Sequence, residues 1–319
     1  KIKNLNIFKN QGLSTSMSKI LINTIRGFSN YIEKERPTLV ILHGDRVEPL
    51  ACAISSLLLN IKIAHVEGGE VSGTVDEMLR HAISKLSHIH FVSNKIAKNR
   101  LLQMGEDKKS IFVVGSPDVD LILSKNLPNL DTVRKRYGIN YDKYAISILH
   151  PVTTNIENVK LESKNYFEAL KQTKANYVVI YPNNDLGSNY IFDQIRKLKN
   201  KPNFSVLPSL RFEFFLTLLK NSSFIIGNSS CGIMEAPYYG VPTINVGNRQ
   251  KNRLKSKSLI NINFAKKKII TAIKFAQQHK TPKLKYFGNG KSSLKINKII
   301  NSKKFWDVQL QKGFIDFIK

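Results

Sequence analysis

Two kinds of hydrophobic segment alternate along the chain. Short runs rich in Val, Ile and Leu, apolar at nearly every position, occur at 38–43, 61–66, 89–92, 111–114, 145–149, 177–181, 205–207, 224–226 and 243–246. A strand apolar on both faces belongs in a parallel sheet covered by helices above and below. Between these runs, 48–59, 76–87, 166–174 and 212–219 carry apolar residues three and four apart and predict amphipathic helices. Such alternation is the pattern of an α/β fold. The polar stretch 124–131, interrupted by Pro128, is the expected boundary between two α/β domains. The predicted division is 1–125, 126–304 and a C-terminal helix over 305–319 that crosses back to the first domain.

Composition fits this picture. At 319 residues, with 42% hydrophobic and 23% charged residues, the chain is long enough for two cores and is neither disordered nor fibrous. Its charge is unusual: 50 Lys and Arg face 23 Asp and Glu, a net +27. Of the basic residues, 17 lie in 236–306, where there is no Asp or Glu. Such a block raises the question of a polyanionic partner, although a Lys-rich surface without a dedicated ligand has the same composition. Cys52 and Cys231 stand far apart and outside any CxxC or Cys/His pattern, which argues against a disulfide scaffold or a structural zinc site. No apolar run reaches the length of a membrane span and no signal-peptide pattern opens the chain, so a cytoplasmic protein is expected.

In open α/β sheets ligands bind outside the carboxyl ends of the strands, so the chemistry is sought there. After 38–43 come Gly44, Asp45 and Arg46; after 61–66 come Glu67, Gly68, Gly69 and Glu70, leading to a helix with Asp76, Arg80 and His81. Asp45, Glu67 and Asp76 are thus carboxylates placed to converge, and crowded carboxylates suit general acid–base work. Asp76 equally fits a plain helix N-terminal charge. After 224–226 the sequence Gly227-Asn228-Ser229-Ser230-Cys231-Gly232 enters a helix, a strand–turn–helix arrangement that offers N–H groups and hydroxyls to an anion, or a simple Ser N-cap. Glu235, one turn into that helix, is placed to accept from sugar hydroxyls, and Arg249 adds positive charge after the next strand. His150 and Asn183 follow two further strands. Cys231 has no His near it in sequence and reads as a small packing residue.

These strings resemble the hydrolysing UDP-N-acetylglucosamine 2-epimerases, above all the sialic-acid and legionaminic-acid branch. The resemblance rests on His43-Gly44-Asp45-Arg46, the run from Ile63 through Glu67-Gly68-Gly69-Glu70 to Asp76, Arg80 to Leu86, His150-Pro151-Val152-Thr153-Thr154 and the Gly227 to Gly232 turn. It implies two Rossmann-like domains in a glycosyltransferase-B arrangement with UDP in the interdomain cleft. It also implies elimination of UDP from a UDP-2-acetamido sugar, then hydration of the glycal to the free C2-inverted sugar, N-acetylmannosamine in the simplest case. By the same resemblance Asp45, Glu67 and Asp76 form the acid–base set, without deciding which abstracts and which hydrates. Arg80 and His150 would orient substrate and stabilise departing UDP. Ser229 and Ser230 would hold the β-phosphate and Glu235 the ribose, with Arg46, Asn183, Asn228 and Arg249 completing the UDP site. No cofactor or metal is expected, the partners are a UDP-sugar and further copies of the chain as a dimer or tetramer, and neither nucleic acid nor membrane is called for. The alternatives are UDP-N,N'-diacetylbacillosamine as substrate, a glycosyltransferase of the same fold, or a basic nucleic-acid-binding protein. One departure stands out: the opening strand and Gly-Thr/Ser-Arg turn of the family have no counterpart before Pro37. Missing amino-terminal residues, or a reduced first sheet with weak activity, are therefore expected.

Overall fold

The computed structural model describes residues 16–251, 253–254 and 256–316. In chain order the elements are α1 (Met17–Glu35), β1 (Leu39–His43), α2 (Val47–Leu58), β2 (Lys62–Val66), α3 (Val75–Leu86), β3 (Ile89–Val92), α4 (Lys95–Gln103), β4 (Ile111–Val113) and α5 (Pro117–Ile122). There follow α6 (Leu130–Tyr137), β5 (Ala145–Ile148), α7 (Ile156–Lys171), β6 (Tyr177–Ile180), α8 (Ser188–Arg196), β7 (Phe204–Leu207), α9 (Phe212–Lys220) and β8 (Ile225–Gly227). The last are α10 (Cys231–Met234), α11 (Ala236–Tyr239), β9 (Thr243–Val246), β10 (Leu259–Ile262), α12 (Lys266–Gln278), α13 (Ser292–Ile300) and α14 (Lys303–Trp306). The expectation about the start of the chain falls largely on residues 1–15, outside the described residues.

The described residues up to Val71, together with Val75–Asp120 and those from Phe287 on, form one compact unit; Ser72–Thr74 and Leu121–Tyr286 form a second. The division falls at Asp120/Leu121 and not in 124–131, and side-chain hydrogen bonds explain why. Asp120 accepts from the N–H groups of Ser292 (2.9 Å) and Ser293 (2.8 Å), whereas the carbonyls of Ile122 and Pro128 accept from Tyr239 and Thr217 of the second unit.

In unit 1 the strands are parallel in the order β1-β2-β3-β4. One face of the sheet buries Val40, Leu42, Ile61 and Ile63 against Ile32 of α1, Ala53 of α2 and Ile83 of α3. The other buries Ala64, Val66, Ile89 and Phe91 against Phe305, which stacks on Phe91 at 6.1 Å. Full burial of one Phe side chain stabilises by about 1.5–3 kcal/mol, so α14 is a working part of this core. The expected helix over 305–319 is a correction: helix ends at Trp306, and 307–316 runs as irregular chain, with 317–319 outside the described residues. The cause is the anchoring of this segment. His88 Nε2 donates to Leu310 O (2.9 Å), and all three donors of the Lys312 ammonium are engaged, by Lys85 O (2.8 Å), Ser87 O (2.7 Å) and Glu106 (2.6 Å). Glu106, 2% exposed, is also met by His90 and Lys85, each at 2.9 Å. Burial opposes its charge, but the hydrogen bonds from His90, Lys312 and Lys85 prevail and bring its pKa down to about 2.

Unit 2 holds a parallel sheet in the order β10-β9-β8-β5-β6-β7. Its strand order reverses between β5 and β8, the Rossmann switch point at which ligands lodge. Strand β10 was not expected from sequence. The single helix expected after Ser230 is instead two four-residue helices, α10 and α11, with Pro237 at the start of the second. Proline has no N–H to continue the ladder.

Candidate active site

The carboxyl ends of β1, β2 and β4 in unit 1 carry most of the titratable candidate residues. The chain leaves β2 at Glu67, whose φ of +68° lies in the left-handed region. For a residue with a Cβ this costs on the order of 1–3 kcal/mol and persists only where the surroundings enforce it. They do so here. Glu67 N–H donates to Phe91 O (2.9 Å), and at Gly69 (φ +77°) a Cβ would overlap Ala97 O. Glu70, buried, then accepts from Ser93 Oγ and from Asn94 Nδ2 (3.1 Å). Glu70 is thus an anchor of the loop.

The strained residue faces His43, the last of β1, whose Nε2 lies 3.1 Å from Glu67 Oε2. That hydrogen bond raises the imidazole pKa against the effect of burial. Asp118, in the first turn of α5, completes the group: one donor or acceptor atom from each of His43, Glu67 and Asp118 lies within 4.8 Å of the others. Burial first, and the Glu67 charge second, raise the Asp118 carboxyl above its usual range. No metal-ligand set was expected from sequence. The structure nevertheless brings three such donor types together, with His43 Nε2 hydrogen-bonded to Glu67.

Asp45 takes a different partner. Arg80, 2% exposed, donates from its guanidinium to the Asp45 carboxylate and to Glu70 O (3.0 Å). Arg80 therefore holds Asp45 and the Glu67–Glu70 loop in register. His65 braces the same corner: its ring pairs with Gly44 O (2.9 Å) and Ser84 Oγ (3.0 Å), and burial lowers its pKa to about 4. Asp76 sits half-buried in the first turn of α3, one turn before Arg80. Arg46, half-buried, is the N-cap residue of α2.

In unit 2 the switch point is closed by Asn228. Its Oδ1 accepts from His150 N–H (2.7 Å) and its Nδ2 donates to His150 O (2.8 Å), so the ends of β5 and β8 are locked together. The strand reaches this position only because residue 227 is glycine: at φ +137° a Cβ there would overlap Ile148 O. His150 Nδ1 accepts from Asn183 N–H (3.1 Å), which leaves the ring proton on Nε2. Asn183 itself is exposed and acts on His150 through its backbone. Arg249 NH1 (3.3 Å) and Gln250 Nε2 (3.1 Å) both donate to Asn228 O. Ser229 and Ser230 are half-buried, and Ser230 makes no side-chain cap to α10, so the simple N-cap reading is not what the hydroxyl does. Glu235 is buried at the junction of α10 and α11. The Cys231 thiol is buried and its pKa pushed up by desolvation, as suits a packing residue. His43, Asp118 and Gln250 were not singled out from sequence, although each follows or ends a strand.

The model of the UDP-N-acetylglucosamine 2-epimerase family matches residues 1–301. The chain belongs to that family. It is 44% identical over 314 residues to a Neisseria meningitidis serogroup B protein named UDP-N-acetylglucosamine 2-epimerase, covering 97% of this chain and 83% of the relative. It is 37% identical over 292 residues to a Legionella pneumophila protein named UDP-N,N'-diacetylbacillosamine 2-epimerase (hydrolyzing), covering 90% and 77%. Among solved structures it resembles Methanocaldococcus jannaschii UDP-GlcNAc 2-epimerase in complex with UDP-GlcNAc and UDP, with a TM-score of 0.78, 26% identity, and coverage of 90% and 82%. A Neisseria meningitidis epimerase structure matches with a TM-score of 0.76 at 20% identity, over 92% of this chain and 84% of the other, which bears on fold alone. The two parallel α/β sheets are those of Rossmann-like domains. No helix of the described residues is long and apolar enough to cross a membrane.

Proposed function

We propose that the protein is a hydrolysing UDP-N-acetylglucosamine 2-epimerase: it converts UDP-N-acetylglucosamine and water to UDP and free N-acetylmannosamine. The observation that carries the proposal is Glu67, held in a strained conformation at a strand end against His43, in a chain 44% identical to a relative named UDP-N-acetylglucosamine 2-epimerase. The hydrolysing outcome takes its support from the Legionella relative.

The chemistry asks for two things, a proton transfer at C2 and stabilisation of a leaving diphosphate. In the first half, a carboxylate removes the C2 proton, the C–H electrons form the C1=C2 bond, and the C1–O bond breaks with its electron pair going to UDP. In the second, water adds its hydroxyl to C1 while a proton is delivered to C2 on the opposite face. Asp45, Glu67 and Asp76 supply the acid–base set, and a base with a tuned proton affinity contributes about 10²–10⁴-fold to such a step. The diphosphate falls to unit 2. There the Nε2–H of His150, the Ser229 and Ser230 hydroxyls and the Arg249 charge are donors to an anion, and Glu235 serves the ribose. Preformed donors of this kind need no reorganisation as charge develops.

A second substrate has specific support: the relatives from Legionella pneumophila and Campylobacter jejuni, 37% and 35% identical, carry N,N'-diacetylbacillosamine in their names. The test is to incubate the protein with each UDP-sugar in deuterated water and follow products by NMR. Deuterium at C2 of a mannose-configured free sugar, with equimolar UDP, is expected from one of them. Retained hydrogen at C2, or no UDP from either sugar, refutes the epimerase reading. Glu67→Gln should fold and lose turnover.

A further inference from the structure

Asp118 has no role in the chemistry above, yet its position is built with care. It follows β4 through Gly115, Ser116 and Pro117, and this turn is pinned from both sides. Ser116 N–H donates to Phe287 O (2.7 Å), and Asp120 caps α13 through Ser292 and Ser293. The carboxylate so placed is half-buried beside Glu67, and among the described residues it has no hydrogen-bond donor of its own. A purely structural Asp would be expected to have one, as its neighbour Asp120 does.

We propose that Asp118 is a positioning residue of the reaction, which acts with His43 on Glu67 so that the two carboxylates carry one proton between them when substrate arrives. The inference rests on the reading of Glu67 as a proton-transfer group. The reasoning is electrostatic. Two carboxylates this close do not both ionise freely, and their protons come off in coupled steps that belong to the pair. His43, from the end of β1, pulls the other way by hydrogen-bonding to Glu67. Asp45 also acts on His43, and Arg80 is committed to Asp45. Glu67 is thus caught between one group that favours its anion and one that favours its protonated form. The protonation of Glu67 is thereby coupled to that of Asp118, and a proton-transfer group acts only in the right protonation state. The raised pKa of Asp118 has the direction that this sharing demands.

The experiment is a pH profile of kcat/KM for Asp118→Asn, with Asp118→Glu and Glu67→Gln in parallel. In Asp118→Asn the acid limb should move to lower pH by about one unit, the size of a like-charge interaction at this range in a part-solvated site. Its kcat near neutral pH should fall about tenfold, with KM held within about threefold. Asp118→Glu should restore the limb. A second measurement needs no change at Asp118: carboxyl 13C NMR should show its titration midpoint falling when Glu67 becomes Gln. An unshifted limb in Asp118→Asn, or an unmoved Asp118 midpoint, together with an inactive Glu67→Gln, overturns the role of Asp118 alone. A Glu67→Gln enzyme with near-normal turnover overturns the acid–base reading itself.

Discussion

Lys312 is the sharpest point at which to test how the C-terminal segment is held. In Lys312→Ala the ammonium leaves three acceptors at once, Lys85 O, Ser87 O and the buried Glu106 carboxylate. Breaking a buried ion pair from one side costs about 3–5 kcal/mol when the other charge is left alone. Glu106 keeps His90 and Lys85 at 2.9 Å each, and the Lys312 side chain is 28% exposed, so water reaches part of the gap. Both facts lower the expected cost to about 2–3 kcal/mol. For a unit of this size that is a fall in Tm of roughly 5–10 °C. Differential scanning calorimetry at neutral pH measures it, with the exposed Lys303→Ala as a control that should change stability by less than about 0.5 kcal/mol. Acid gives a second signature. Because the Glu106 pKa is depressed on folding to about 2 from its ordinary 4.5, its contribution is complete above pH 4.5 and is lost as pH falls towards 2. The gap between wild type and Lys312→Ala should therefore close over that window. A Tm within 1 °C of wild type, or a gap independent of pH, would refute the idea that this ion cluster fastens the segment.

Asn228→Ala removes both hydrogen bonds to the His150 peptide in a fully buried position and strands its N–H, at a cost of about 1–3 kcal/mol. UDP affinity by calorimetry should drop at least tenfold; unchanged affinity would show that the lock does not shape the anion site. His65, lowered to about 4, favours folding in its neutral form, so stability is full above pH 6.5 and declines as pH falls towards 4. Between pH 7 and 5 the loss from this group should be about 2 kcal/mol. Chemical denaturation across that range should find the loss largely absent in His65→Gln.

The positions of nine of the ten described strands, and the polar residues at their ends, were legible because both follow from local rules. Apolar runs marked the strands, and the polar residue after each run marked the rim of a sheet. Strand β10 escaped because Leu259–Ile262 is a short edge strand, half-buried and bracketed by lysines and asparagines, with no clear period. The split after Glu235 was written in Pro237 but outweighed by the helical look of Ile233 to Glu235. His43 and Asp118 were missed for a different reason. Their significance lies in meeting Glu67, and a contact over 24 or 51 residues of chain leaves no periodic trace. The domain division was misplaced because Asp120 and Ile122, two residues apart, are claimed by opposite units through hydrogen bonds that no spacing announces.

The return of the chain to unit 1 after Tyr286 also sets an order of events during synthesis. Unit 2 is almost continuous, and once Tyr286 has left the ribosome every strand of its sheet is available. Unit 1 begins first yet finishes last: Phe91 waits for Phe305, and Glu106 for a lysine 206 residues later. Until then one face of its sheet is uncovered apolar surface, the kind of intermediate that chaperones hold. The earlier half of the polypeptide therefore matures second, and a nascent chain stalled between the two events would present a finished second unit joined to an unfinished first one.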